Sequence, residues 1–171
     1  MDIALIGYGR WGKNLYNALN NLETVDNVYV CDPQLSKEAS KLNILSFEEI
    51  KQKKEIQGVV VASTASTHFE ITKTFLELGK HVFCEKPLCF TAEEVKILTN
   101  LVYEKKKILV SGHTFVFNDS IKFLKDHIKK NQLEFKTVFG KYSSYGTNVK
   151  DVDVLWDFGP HVISIINFVF D

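Results

Sequence analysis

The stretch Ala4-Leu5-Ile6-Gly7-Tyr8-Gly9-Arg10-Trp11-Gly12 constrains this chain more than any other. An apolar run feeds directly into G-x-G-x-x-G, and an acid, Asp32, closes a second apolar run roughly 20 residues further on. Each part has a physical job. Gly7 permits a tight strand-to-helix turn. Gly9 has no side chain, so a pyrophosphate can reach the backbone between Tyr8 and Arg10. Gly12, after Trp11, lets the new helix lie close on the strand. The helix N-terminus turns N–H donors and a positive dipole end toward the phosphates. Asp32 offers a carboxylate to a ribose diol. A glycine-rich turn that served packing alone would need neither the strand, the helix nor the acid, so the pattern predicts a dinucleotide site.

The rest of the first two thirds repeats strand and helix. Strands are predicted at Ile3–Ile6, Asn27–Cys31, Gly58–Ala62, His81–Cys84 and Ile108–Ser111, with a weak one near Ile44-Leu45. Their continuous apolar runs suit parallel strands buried on both faces. Helices are predicted at Trp11–Leu22, Ser36–Leu42, Phe47–Lys54 and His68–Leu78, the last ended by Gly79. Thr91, with Glu94 three residues on, caps a further helix that runs to about Lys106. Right-handed crossovers then give an α/β fold, a Rossmann-type doubly wound parallel sheet, with ligands at the carboxyl ends of its strands. Gly7, Asp32, Ser63-Thr64 and Glu85-Lys86 all fall at such ends.

After about Thr114 the pattern changes. Asp119–Lys130 reads as an amphipathic helix and Phe135–Tyr145 alternates like a half-buried antiparallel strand. Asn148–Asp157 reads as irregular and Pro160–Phe170 as a helix. The expected division is a dinucleotide-binding domain over 1–114 and the beginning of an α+β second domain over 115–171.

Composition narrows the class. Charge is balanced, 21 basic against 21 acidic residues, which points away from nucleic acid and anionic membranes. Arg10 is the sole arginine and sits inside the glycine loop, as a phosphate contact or as a solvated loop residue. The three cysteines, Cys31, Cys84 and Cys89, form neither a disulfide framework nor a zinc pattern, so no metal site is predicted and a reducing cytoplasm is expected. Met1-Asp2 leads straight into the first strand, leaving no room for a signal peptide, and Val162–Phe170 is too short to span a bilayer.

A second informative stretch is Gly79-Lys80-His81-Val82-Phe83-Cys84-Glu85-Lys86-Pro87-Leu88. A strand ends in an acid and a lysine held by proline. A lysine at the sheet's carboxyl edge can polarise a substrate oxygen or relay its proton. An isolated E-K-P would read as a solvated turn. It stands here with V-V-V-A-S-T-x-x-T-H, with Ser111-Gly112-His113-Thr114-Phe115-Val116-Phe117-Asn118 and with Trp156-Asp157-Phe158-Gly159-Pro160-His161. In that order and over essentially the whole chain, these motifs resemble the glucose–fructose oxidoreductase / inositol dehydrogenase (Gfo/Idh/MocA) family.

The resemblance implies an NAD(P)-dependent oxidoreductase acting on a sugar, a polyol or a nucleotide-linked sugar. It places Glu85 and Lys86 near the nicotinamide ribose and the reacting carbon, and Asp157 and His161 on the helix that opens the second domain. Positions i and i+4 share a helix face. His161 is then expected to handle the hydroxyl proton and Asp157 to support it. Where some members carry an acid three residues after the histidine, this chain has Ser164. Ser63, Thr64 and His68 are expected to line the cofactor pocket, His68 alternatively capping or packing its helix. His113 either lines the cleft or is a satisfied strand-end histidine. Asp32 favours NAD, and Arg10 leaves NADP open. The rival expectation is a dinucleotide-binding module without catalysis, or an inert remnant. Relatives are about twice this long, so the 115–171 segment is expected to pack on the nucleotide domain or on another chain, with a homo-oligomer as one outcome.

Overall fold

The computed structural model describes residues 1–36, 41–143 and 151–170. Within them the chain forms two compact units, Met1–Gly112 and His113–Asp171. The expected helix Ser36–Leu42 falls largely outside the described residues.

The first unit is built on a six-stranded parallel sheet. Its strands are β1 (Asp2–Ile6), β2 (Asn27–Cys31), β3 (Asn43–Ile44), β4 (Ile56–Val61), β5 (His81–Cys84) and β6 (Leu109–Ser111). They lie in the order β3-β2-β1-β4-β5-β6, the doubly wound order that reverses between β1 and β4. Helices α1 (Arg10–Asn20), α2 (Phe47–Gln52), α3 (His68–Glu77) and α4 (Ala92–Lys105) connect them.

Register decides where the strands end. Ile6 lies opposite both Cys31 and Val61, Val61 opposite Cys84, and Cys84 opposite Ser111. The residues that follow these positions therefore emerge along one edge of the sheet. That edge carries Gly7, Asp32, Ala62, Glu85 and Gly112.

Two apolar layers hold the sheet. On one face Ala4, Ile6, Val59, Val61, Val82 and Cys84 pack against Ile50 of α2, Phe75 and Leu76 of α3 and Leu98 of α4. On the other, Ile3, Leu5, Val28 and Val60 meet Leu15, Tyr16 and Leu19 of α1. Cys84 and Cys89 belong to the first layer, where burial pushes their thiols up to about 12 and about 11. Ser46 with Glu49 and Thr91 with Glu94 form capping boxes on α2 and α4. Gly79, at φ +71°, ends α3 with its N–H on the Leu76 carbonyl.

The second unit contains a 3₁₀ turn (Thr114–Phe117), α5 (Asp119–Lys130) and α6 (Val154–Phe170). Two expectations are corrected here. No strand forms over the described part of 135–145, up to residue 143. A strand needs a partner for its backbone, and none lies alongside among the described residues. The alternation instead seats aromatic rings on α6: Phe135 lies 5.3 Å from Phe170, and Tyr142 lies 4.9 Å from Phe158, between ring centres. The terminal helix also starts earlier than Pro160. Asp153 accepts the Trp156 N–H at 3.0 Å as an N-terminal cap, and the helix passes through Gly159-Pro160. Asp157 is thus helical rather than irregular. Among the described residues no helix is long and apolar enough to cross a membrane.

Candidate functional site

The glycine loop follows β1 at the point where the strand order reverses. Gly7 adopts φ +96°, and a Cβ there would sit 2.5 Å from the Ala62 carbonyl oxygen. A Cβ on Gly12 would run into the Gly7 carbonyl oxygen. Gly9 differs, because its Cβ would meet nothing within 4 Å. Two glycines of the motif are required by protein packing, and the third keeps open the space in front of α1. Gly9 is also the N-cap of α1, and no side chain caps that helix, in contrast to the boxes on α2 and α4. No acid lies in its first turn. These features fit a pyrophosphate held by backbone N–H groups.

Asp32, at the end of β2, is tied into this loop. Its Oδ2 accepts the Tyr8 N–H at 2.6 Å and its Oδ1 the Gln34 N–H at 2.9 Å. The carboxylate fixes the loop, and its remaining lone pairs suit a ribose diol. Arg10 is exposed at the first position of α1.

Across the reversal point, β5 leads into Glu85-Lys86, and the Lys86-Pro87 peptide is cis. The indole of Trp11 donates its Nε1–H to Glu85 Oε1 at 2.6 Å, joining the glycine loop to the β5 exit. Glu85 is only 8 % exposed, and burial raises its pKa against the opposing hydrogen bonds from Trp11 and the Lys86 N–H. Its carboxyl group rests on Gly112, where a Cβ would lie 3.0 Å away. Gly112 and the Trp11–Glu85 bond were not legible as site features. A glycine directly after a short strand was the one available signal. Lys86 is half-buried beside them.

The β4 exit supplies hydroxyls. Thr67 Oγ1 donates to the Thr64 carbonyl at 2.7 Å and lies 2.7 Å from Ser63 Oγ. Thr67 has one hydroxyl proton, so Ser63 donates to Thr67 and keeps only lone pairs to offer outward. Thr64 is exposed at the start of a 3₁₀ turn (Ala65–Thr67). His68 is expected either to line the pocket or to cap or pack its helix. Its ring is 2 % exposed, with Nδ1 2.8 Å from the Pro87 carbonyl and Nε2 3.1 Å from the Ser63 carbonyl. Its polar atoms are directed at backbone, which leaves none for a cofactor.

In the second unit, Asp157 and His161 lie one turn apart on α6. The buried imidazole of His161 packs edge-on against Phe115, ring centres 4.8 Å apart, and near Tyr142 at 5.7 Å. Ser164 gives its hydroxyl to the His161 carbonyl at 3.0 Å. Burial lowers the pKa of His113, and its Nδ1 has no hydrogen-bond partner among the described residues. No group of three His, Cys, Asp or Glu side chains suited to a metal occurs among the described residues.

The family described as "Oxidoreductase family, NAD-binding Rossmann fold" matches residues 1–113. The chain belongs to the Gfo/Idh/MocA oxidoreductase family. Among curated relatives, scyllo-inositol 2-dehydrogenase (NADP(+)) of Bacillus subtilis (strain 168) is 27 % identical over 180 residues, covering 95 % of this chain and 50 % of that protein. Myo-inositol 2-dehydrogenase of Thermotoga maritima is 27 % identical over 143 residues, covering 78 % of this chain and 42 % of that protein. Among solved structures, GenD2 from gentamicin A biosynthesis, in complex with NAD, superposes with a TM-score of 0.84 at 20 % identity, covering 99 % of this chain and 53 % of that one. This Gfo/Idh/MocA chain therefore spans half or less of the curated relatives it matches. The first unit is an NAD(P)-binding Rossmann fold.

Proposed function

We propose that the protein is an oxidoreductase that moves a hydride between a nicotinamide cofactor and a hydroxyl- or carbonyl-bearing carbon of a sugar, a polyol or a nucleotide-linked sugar. The observation that carries this reading is the bond from Trp11 to Glu85. It joins the phosphate-binding loop to the turn that presents Lys86. A module that only bound a dinucleotide would have no use for a lysine presented next to an acid that is fixed to the glycine loop in this way. Inositol dehydrogenases among the relatives support a polyol-like substrate class.

The bound nicotinamide would supply or accept the hydride; the chain's own residues do the rest. Gly7, Gly9 and Gly12 with the start of α1 hold the pyrophosphate, and Asp32 holds the adenosine ribose. Ser63, left with only lone pairs, accepts from a ribose hydroxyl rather than donating to a phosphate. Lys86 polarises the substrate oxygen or relays its proton. His161 takes the hydroxyl proton as the alcohol is oxidised, and Asp157 supports it. The Asp32 carboxylate repels a 2′-phosphate, which favours NAD. Arg10, exposed at α1, is the residue through which NADP would be accommodated.

A titration of NADH and then NADPH, followed by energy transfer from Trp11, tests the cofactor half of the reading. Saturable binding with NADH tighter is expected. A panel of polyols, sugars and UDP-sugars then tests turnover. Lys86→Ala is expected to abolish turnover while NADH binding survives. Turnover that persists in Lys86→Ala would remove the lysine from the mechanism.

A further inference from the structure

Two loops at the sheet's carboxyl edge, the β4 exit at Ser63 and the β5 exit at Lys86-Pro87, share no strand pairing of their own beyond β4 and β5. One side chain spans them. His68, the first residue of α3, is 2 % exposed and places Nδ1 at 2.8 Å from the Pro87 carbonyl and Nε2 at 3.1 Å from the Ser63 carbonyl. Both partners are acceptors. A neutral imidazole has one N–H; carried on Nδ1, at the shorter distance, it donates to the Pro87 carbonyl and ties the β5 exit to α3, which continues directly from the β4 exit, and an imidazolium donates to both carbonyls. The ring has nothing left for a ligand.

From this geometry we infer that His68 is a positioning residue. It clips the β4 exit to the β5 exit and so fixes Lys86 through the Pro87 carbonyl. The inference rests on the proposed role of Lys86, and it assigns to His68 a task different from touching cofactor. Three further contacts make the clip stiff. The Glu85 N–H donates to the Val61 carbonyl at 2.9 Å, so the two strands stay paired up to the loops. The Thr67 hydroxyl, one residue before His68, closes the β4 exit on the Thr64 carbonyl. Thr72, one turn further along α3, is fully buried, and Phe75 and Leu76 beyond it pack into the core layer on the sheet. The imidazole therefore projects from a helix end that cannot swing away. A glutamine at position 68 keeps N–H donors that can reach a carbonyl, whereas an aliphatic side chain keeps none.

The test uses the full 171-residue chain, isotopically labelled, as wild type, His68→Leu and His68→Gln. Backbone amide spectra and NADH titrations are recorded on each. In His68→Leu the Ser63 and Lys86 amide resonances are expected to move, while those of Leu5 and Asp32 stay in place. NADH affinity is expected to fall about tenfold. His68→Gln should recover most of that affinity, a rescue that simple filling of core volume would not give. Unmoved Ser63 and Lys86 resonances in a folded His68→Leu overturn the inference, as does a glutamine variant no better than leucine. If His68→Leu does not fold, His68→Ala, which reaches neither carbonyl, takes its place with the same expectation. Should the wild type bind neither NADH nor NADPH, the proposed function fails, and the amide shifts at Ser63 and Lys86 still decide the clip.

Discussion

Gly9 and Gly12 belong to one loop, yet a methyl group added to each has a different consequence. At Gly12 the Cβ would meet the Gly7 carbonyl, so Gly12→Ala forces the loop and α1 apart, at a cost of about 1–3 kcal/mol. At Gly9 the backbone, with φ −69°, accepts any residue and the Cβ faces open space. Gly9→Ala should leave stability within about 1 kcal/mol of wild type and still weaken NADH binding, because the methyl occupies the space a phosphate needs. Thermal melts paired with titrations check this, and equal effects on stability would refute it. Glu85 makes a second separation possible. Burial raises its folded pKa above the ordinary carboxylate value, so the folded state holds this proton more tightly than the unfolded chain. Its contribution to stability is then most favourable below the ordinary carboxylate value. It declines as pH rises through the window up to the raised folded value and levels off above it. Glu85→Gln keeps an oxygen for the Trp11 indole and removes the titration. The stability of Glu85→Gln relative to wild type should therefore increase with pH across that window, as read by denaturant melts at several pH values.

At the scale of elements, Lys80 shows how a buried cation holds two of them. Its ammonium, just before β5, donates to the carbonyls of Lys53 at 3.2 Å, Lys54 at 3.3 Å and Ile56 at 2.6 Å. These are the C-cap of α2, the residue that follows it and the first residue of β4, and a cation just past α2 also complements the helix dipole. Burial lowers its pKa below the ordinary lysine value, so the fold bears a desolvation cost to keep it there. Lys80→Met keeps the apolar stem and strips three carbonyls of their donor, which should destabilise the protein by about 1–3 kcal/mol in equilibrium denaturation. The sequence showed Lys80 only as part of a G-K-H run. What it did show were features written locally. The strands announce themselves as apolar runs, α4 by Thr91 and Glu94, and the end of α3 by Gly79. Two elements misled for physical reasons. Gly159-Pro160 looks like a helix start, but the Asp153 cap had already begun α6, and a proline within a helix forfeits one hydrogen bond without ending it. The alternation after Phe135 promises a strand, but alternation describes only side chains, and a ladder needs a second backbone. The Trp11–Glu85 bond was hidden in another way. Its partners are 74 residues apart and meet only because β1 and β5 flank β4 in register.

At the scale of the whole molecule, the division into Met1–Gly112 and His113–Asp171 separates two kinds of residue. Every strand pair, both apolar layers of the sheet and the bonds from Asp32, Trp11 and His68 lie within the first unit. Asp157 and His161 lie within the second. Cofactor recognition should therefore be a property of the first unit by itself. A chain of residues 1–112 retains the full sheet and all of these loops, and it is long enough to bury a core. It should fold cooperatively and bind NADH within about threefold of the 171-residue chain, since the contacts proposed for the dinucleotide are unchanged. In the full chain, His161→Ala should leave NADH binding as it was and abolish turnover of whichever polyol or sugar the panel identifies. Tritration of the two proteins side by side separates the possibilities. Loss of NADH binding in the 1–112 chain, despite a native-like amide spectrum, would mean that residues beyond Gly112 take part in holding the cofactor. Tight binding by 1–112 together with a dead His161→Ala variant would place cofactor capture in the first unit and a residue required for turnover in the second.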